Sequence, residues 1–401
     1  MKLINLVLTF LVFTFLYTCT SKDSGDEVVM DSLELSSISE FSAHQEVQSV
    51  IVTSNVNWSV SEDTDWITTS PSNGTNNGLI GISVEANSSQ INRTGMVTVS
   101  GGDISKIITV VQLAAEDQSN TLDPNAAPSE NFDLSTWKLS IPVDEGDGTA
   151  TDISVSEINN GYQNSNYFYT GDDGGMVFRC PVAGATTSAN TSYTRVELRE
   201  MLRGTNTSIS TQGVNGNNWV FGTAPASDKN AAAAYDGEMN ATLSINHVTT
   251  TGSISHVGRV VIGQIHANND EPIRVYYRKL PNNTLGSIYF AHDPTDGNGA
   301  EQWYEMIGSR SNNAANPTDG IALNETFSYT IKVVGDNLTF TIIREGKSDV
   351  VETVDMVNSG FNVGGQYMYF KAGLYHLNNS GDANDYAQVT FYALEKTHTT
   401  N

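Results

Sequence analysis

The chain opens on an apolar run from Leu3 to Tyr17, interrupted only by Asn5, Thr9 and Thr14. That length is short for a membrane helix and suits the apolar region of a secretory signal, so residues 1–19 read as an export address. Thr20 to Glu27 is polar and acidic with no core former, and residues 20–29 read as a tether. From residue 30 to 113 the pattern changes to short β-rich runs between Ser, Asn and Gly, such as Val47–Thr53, Ile80–Glu85 and Ile107–Gln112. Their regular spacing predicts a small Ig-like β-sandwich. Residues 114–131 hold Pro124 and Pro128 and no alternation, which predicts a linker. Residues 132–401 return to strand and turn. The one helix-like run there, Ala231–Ala234, is too short to stand by itself. The predicted class is all-β, the second module being a jelly roll (a concanavalin-like sandwich) whose curved sheets leave one concave polar face.

Three strands of the second module carry unusual polar residues. In a strand, residues two apart share a face. Arg195, Glu197 and Arg199 therefore point together, with Val196 and Leu198 opposite. Gln264 and His266 point together within the apolar run from Arg259, and Tyr369, Lys371 and Tyr375 point together against Phe370 and Leu374. Any one of these could be a solvated face of an antiparallel sheet. All three together differ from the rest of the chain, where 20 Lys+Arg face 45 Asp+Glu and the net charge is −25. If they share a sheet, scarce cations gather with proton-transfer groups, which predicts an anion site with acid–base chemistry.

At these residues the chain resembles polysaccharide lyase family 7, the alginate lyases. The family's R-[ST]-E-L-R, Q-[IV]-H and Y-F-K-A-G-x-Y strands stand here as Arg195-Val-Glu-Leu-Arg199, Gln264-Ile-His266 and Tyr369-Phe-Lys-Ala-Gly-Leu-Tyr375. Trp137-Lys-Leu-Ser-Ile-Pro-Val and Met176-Val-Phe-Arg-Cys-Pro-Val support the match, which spans roughly Phe132 to Leu394. The resemblance implies cleavage of alginate by β-elimination to unsaturated oligosaccharides, with no cofactor required. It implies Arg195 and Gln264 on the uronate carboxylate, His266 as base and Tyr375 as acid, the phenol doubling as base for one uronate epimer. A phenol acting as base would need its pKa lowered by Arg195 or Lys371. Glu197, Arg199, Lys371 and Tyr369 are implied as supporting and substrate-binding residues. Ile265 within Q-x-H implies guluronate-containing substrate. Val196 replaces the family's small hydroxyl residue, and Leu377 stands where the family often has Gln.

Asn57-Trp58-Ser-Val-Ser, Asp65-Trp66-Ile-Thr and Arg93-Thr-Gly-Met-Val-Thr-Val99 resemble the BACON domain, a spacer or glycan binder beside carbohydrate-active enzymes. Trp58 and Trp66 read first as core and second as sugar-stacking residues. Leu16-Tyr17-Thr18-Cys19 resembles a bacterial lipoprotein cleavage box, which implies a lipid on Cys19 and an exported protein, held at the outer membrane or cell surface or else secreted.

Composition narrows the partners. Two cysteines exclude multi-Cys metal sites, and the histidines show no metal-ligand spacing. The loops Asn268–Glu271 and His292–Asp296 could hold a structural Ca²⁺ or be plain turns. Arg274-Val-Tyr-Tyr-Arg278-Lys279 is a basic, aromatic strand, either a subsite or a solvated edge. Residues 1–129 hold 4 Lys+Arg against 15 Asp+Glu and residues 130–401 hold 16 against 30, so both modules are acidic. That excludes nucleic acid as a general partner. It does not exclude a polyanion, because screening over about 8–10 Å leaves a local cation cluster in control. Three rivals stand: a non-catalytic jelly-roll polyuronate binder, an adhesin acting through its first module, and a glycoside hydrolase, which would need paired carboxylates. A binder would need Arg195, Arg199 and Lys371, but not Gln264, His266 and Tyr375 together.

Overall fold

The computed structural model describes residues 30–87, 89, 91–114 and 122–400. The export address, the lipidation candidate Cys19 and the tether lie outside the described residues. The chain divides into two compact units, Met1–Gln118 and Ser119–Asn401.

The first unit holds two four-stranded sheets. One runs Leu33–Leu35, Glu46–Ser54, Gly78–Val84, Ile67–Ser70, and the other Asn73–Thr75, Asn57–Glu62, Arg93–Gly101, Ile104–Gln112. Alternate residues of both, among them Val50, Val52, Ile80, Ile82, Val97 and Val99, fill one core. Trp58 belongs to that core, its indole N–H donating to Asn76 O at 2.8 Å. Trp66 packs at the core's edge, and the Arg93 guanidinium covers its ring at 4.3 Å.

The second unit is a sandwich of two larger sheets. One contains β1 (Trp137–Ile141), β2 (Thr151–Ile153), β3 (Arg195–Glu200), β4 (Arg259–His266), β5 (Ile273–Arg278), β6 (Leu285–His292), β7 (Gln302–Ile307) and β8 (Tyr369–His376). Its order is β2-β1-β3-β8-β4-β5-β6-β7, so the late strand β8 inserts between β3 and β4. The facing sheet is built around Tyr386–Thr399 and Ala234–His247, each 14 residues long and paired antiparallel. Val196, Leu198, Ile265, Phe370 and Leu374 from the first sheet meet Phe178, Leu243, Tyr329, Phe340 and Phe391 from the second in a single core. Burial of these large side chains is the main favourable term holding the sheets together.

The linker is shorter than the sequence implies. Residues 122–131 lie against the second unit: Asn131 donates to Gly174 O at 3.0 Å, Thr170 donates to Ala126 O at 2.7 Å, and Leu122 packs against the core. Pro128–Asn131 forms a helical turn there, with Pro at its start, where no backbone N–H is required. Among the described residues no helix exceeds six residues.

Candidate active site

Strand β3 alternates as its sequence implies. Val196 and Leu198 are buried in the core, so Arg195, Glu197 and Arg199 stand on the opposite, open face of the sheet. Across β8, Tyr375 lies opposite Arg195, Gly373 opposite Glu197 and Lys371 opposite Arg199. On the other side of β8, β4 sets His266 opposite Tyr369 and Gln264 opposite Lys371. The three polar strands are immediate neighbours.

Their alignment depends on a bulge. Val261 pairs with Tyr375, yet Gly263 pairs with Ala372; on the β5 side Val261 pairs with Tyr276 and Gly263 with Val275. The irregularity turns Ile262 and Gly263 inward together: Ile262 joins the core, and a Cβ on Gly263 would strike the Tyr329 ring. Val261 and Gln264 therefore share the open face although they are three residues apart. Opposite the bulge, Gly373 has φ +122, and a Cβ there would lie 2.9 Å from Phe178 and from Val196 O. Only glycine fits that backbone without strain.

Glu197 is the centre of the arrangement. It is 2% exposed and accepts from Arg195 Nη1 at 2.9 Å, from Lys371 Nζ and from Gln264 Nε2. Burial alone would raise its pKa, but Lys371 and Arg195 outweigh that and hold it below the ordinary value. Lys371 is pushed down to about 8, by burial first and then by Arg195. At neutral pH Arg195, Lys371 and Glu197 together carry one net positive charge.

His266 sits beside this cluster. Its Nδ1 lies 2.6 Å from Ala267 O. A carbonyl only accepts, so Nδ1 bears the hydrogen and Nε2 the lone pair. Burial and then Lys371 hold the imidazole down to about 3, so it is neutral at pH 7. Its ring stacks on Tyr369 at 5.1 Å, and Tyr369 also carries the Arg199 guanidinium 3.8 Å from its ring centre. Tyr375 lies under the Arg195 guanidinium at 3.9 Å. Burial raises the Tyr375 pKa and Arg195 only partly offsets it, so the phenol keeps its proton. The lowered phenol pKa that a tyrosine base would need is not what the site provides.

Two further sequence expectations change. Arg199 does not reach outward as a sugar contact: it is buried, donating to Glu200 O and Thr211 O at 2.9 Å and to Asn218 Oδ1 at 3.2 Å. It anchors the loop that follows β3. Glu197 and Tyr369 likewise support other site residues, through the bonds and stacking just described. In the two loops read as plain turns or a calcium site, Glu271 and Asp293 both face Arg274, at 3.7 and 3.4 Å. Sequence reasoning placed Glu271 in a loop but missed its place in the site: its Oε1 lies 3.5 Å from His266 Nε2, and burial raises its pKa. The only signal was its place five residues beyond His266, in a loop with many polar neighbours.

The alginate lyase family model matches residues 132–398, and the viral BACON domain model matches residues 28–115. An alginate lyase of Klebsiella pneumoniae is 58% identical over 280 residues, which cover 68% of this chain and 91% of that protein. The crystal structure of the alginate lyase from Klebsiella pneumoniae, 56% identical, covers 68% of this chain and 98% of its own with a TM-score of 0.67. A Family 7 alginate lyase variant solved in complex with product (GGG) is 26% identical. It covers 68% of this chain and 100% of its own with a TM-score of 0.50.

Proposed function

The chain belongs to the alginate lyase family, and we propose how its residues divide the β-elimination of alginate. The reaction needs a base for the C5 proton, which is α to the uronate carboxylate, and an acid for the departing 4-O oxygen. It also needs fixed positive charge for the enolate-like carboxylate that forms between them. We assign the base to His266 Nε2, whose lone pair is set by the Nδ1–H bond to Ala267 O. Arg195 and the second amide hydrogen of Gln264 bind the carboxylate, while Glu197 and Lys371 hold both in place. As the C5–H pair becomes the C4=C5 double bond, the C4–O bond breaks and Tyr375 gives its proton to the leaving oxygen. His266 ends as an imidazolium facing Glu271, and Tyr375 as a phenolate beneath Arg195. Proton exchange with water restores both.

The observation that carries this reading is the meeting of a neutral imidazole, a protonated phenol and a cation pair around one buried carboxylate. A non-catalytic binder needs only the cations. Incubation with alginate should give the ultraviolet absorbance of an unsaturated uronate, lost in His266→Ala and in Tyr375→Phe. Full activity in Tyr375→Phe would remove the acid assignment, and no signal from the folded wild type would favour the binder.

Guluronate preference is a finer proposal, resting on Ile265. That side chain is fully buried in the core, so it acts through the backbone that carries Gln264 and His266. Equal rates on guluronate-rich and mannuronate-rich blocks would refute it. Export and lipidation rest on the Leu3–Tyr17 run and Cys19. Labelled fatty acid should enter the wild type and not Cys19→Ala; equal labelling of both would refute the anchor.

A further inference from the structure

Glu200 closes β3, and the alternation that turns Arg195, Glu197 and Arg199 to the open face turns Glu200 inward with Val196 and Leu198. The elimination does not use it. A carboxylate on the core side of a sheet is costly unless it is fully hydrogen-bonded. Glu200 is completely buried and accepts from Phe370 N at 3.0 Å, from His398 Nε2 at 2.8 Å and from Lys396 Nζ at 2.9 Å. The backbone register between β3 and β8 runs only as far as Arg199 and Lys371. One residue further along β8, the acceptor for the Phe370 N–H is the Glu200 side chain rather than a strand carbonyl.

The clamp on Glu200 comes from the facing sheet. Lys396 and His398 lie two apart near the end of the strand Tyr386–Thr399, so both project from one side of it. His398 Nδ1 lies 2.7 Å from Asp236 O; a carbonyl only accepts, so Nδ1 donates there while Nε2 donates to Glu200. Asp236 sits in a register shift between Tyr235 and Glu238 with φ +54, a region that non-glycine residues seldom enter. The imidazole packs against the Trp219 and Phe370 rings, its centre 5.4 Å from each. Trp219 is in turn paired with Met368: its N–H donates to Met368 O at 3.0 Å, and Met368 N donates to Trp219 O at 2.8 Å. Met368 and Phe370, the residues on either side of Tyr369, are therefore both fixed by buried partners.

We infer that Glu200, clamped by His398 and Lys396, is a positioning residue: it fixes the β8 backbone at Phe370 and thereby seats Tyr369 against the His266 ring. Tyr369 projects to the open face from the residue before Phe370, and its ring stacks on His266 at 5.1 Å with 9° between the planes. Lys371 projects to the same face from the residue after Phe370 and holds Glu197. A displaced Phe370 backbone moves both side chains, and with Tyr369 the direction of the His266 Nε2 lone pair. Misplacing a reacting group by about 1 Å is enough to cost tenfold or more in rate. The catalytic consequence rests on the reading of His266 as base; the seating of Tyr369 does not.

The test is a double-mutant cycle on alginate cleavage, run well below the melting temperature of every variant. His398→Gln should lower kcat about tenfold and leave KM within about twofold of the wild type. In the Tyr369→Leu background there is no stack to seat, so the same substitution should change kcat by less than about twofold. An equal factor in both backgrounds would mean a general structural loss and would overturn the inference. Lys396→Met keeps the aliphatic stem and removes the charge, and it carries the same cycle if His398→Gln fails to fold. The His266 ring resonances in NMR, identified by their disappearance in His266→Ala, report the stack without turnover. They should move in His398→Gln or Lys396→Met, and unmoved resonances would overturn the seating whatever the kinetics. Moved resonances with kcat unchanged would remove His266 as the base while upholding the seating of Tyr369.

Discussion

Lys371 is the group in the site whose charge should be lost first as pH rises. It is 7% exposed, packed against Arg195 and Glu197, and its pKa is pushed down to about 8. Tyr375 is shifted upward, so the acid stays protonated over the same range. With a pKa near 8, about a tenth of Lys371 remains charged at pH 9, and kcat/KM should fall roughly tenfold from its neutral value. Stability should move the other way. A lysine depressed in the folded state binds fewer protons folded than unfolded between about 8 and 10.5, so its contribution to stability rises with pH through that window. The gap corresponds to about 3 kcal/mol against the charged form. The assay is kcat/KM on alginate from pH 6 to 10 for wild type and Lys371→Arg, with thermal melts at each pH. Arginine keeps its charge throughout, so its alkaline limb should move up even if its overall rate is lower. A wild-type kcat/KM flat through pH 9, or an identical decline in Lys371→Arg, would show that Lys371 does not set the limb. A decline that tracked a falling melting temperature would show the same.

Other outcomes follow from the same geometry. Glu197→Gln leaves two buried cations without their carboxylate and should destabilise the second unit by about 3–5 kcal/mol, read by denaturant unfolding; a change below about 1 kcal/mol would contradict the central role of Glu197. Glu200 is fully buried and accepts from His398 Nε2 at 2.8 Å, Lys396 Nζ at 2.9 Å and Phe370 N at 3.0 Å. Burial would raise its pKa, but these partners lower it to about 2. Its stabilisation is complete above 4.5 and is lost as pH falls toward 2, by about 3 kcal/mol, so Glu200→Gln should flatten the acid limb of stability measured by thermal melts. Gly373→Ala forces a side chain onto Phe178 and Val196 O at φ +122 and should cost about 1–3 kcal/mol, seen as a lower melting temperature. Glu271→Gln removes the carboxylate facing His266 Nε2 and should lower kcat about tenfold with little change in KM; an unchanged kcat would leave Glu271 without a part in the reaction.

The strands, and which residues of each share a face, are legible along the chain itself. Period-two alternation is a local property, so Arg195, Glu197 and Arg199 could be placed opposite Val196 and Leu198 without any partner strand. The motifs also carried the family, because three short strands in order left few alternatives. What joined these strands was tertiary. Inserting β8 between β3 and β4 is a pairing of distant segments, and no local pattern encodes it. The bulge at Ile262 was equally hidden: a run of Val260, Val261 and Ile262 is apolar on both faces, so periodicity could not say that Val261 shares the open face with Gln264. Burial then redistributed the roles. Tyr375 has cations close by, yet desolvation keeps its proton on; Arg199 has the charge of a sugar contact, yet loop carbonyls occupy it. Sequence specifies the type of each group and the side it projects from. Only the packed structure decides how much water each group loses and which partner replaces it, and those two quantities set its charge and its function.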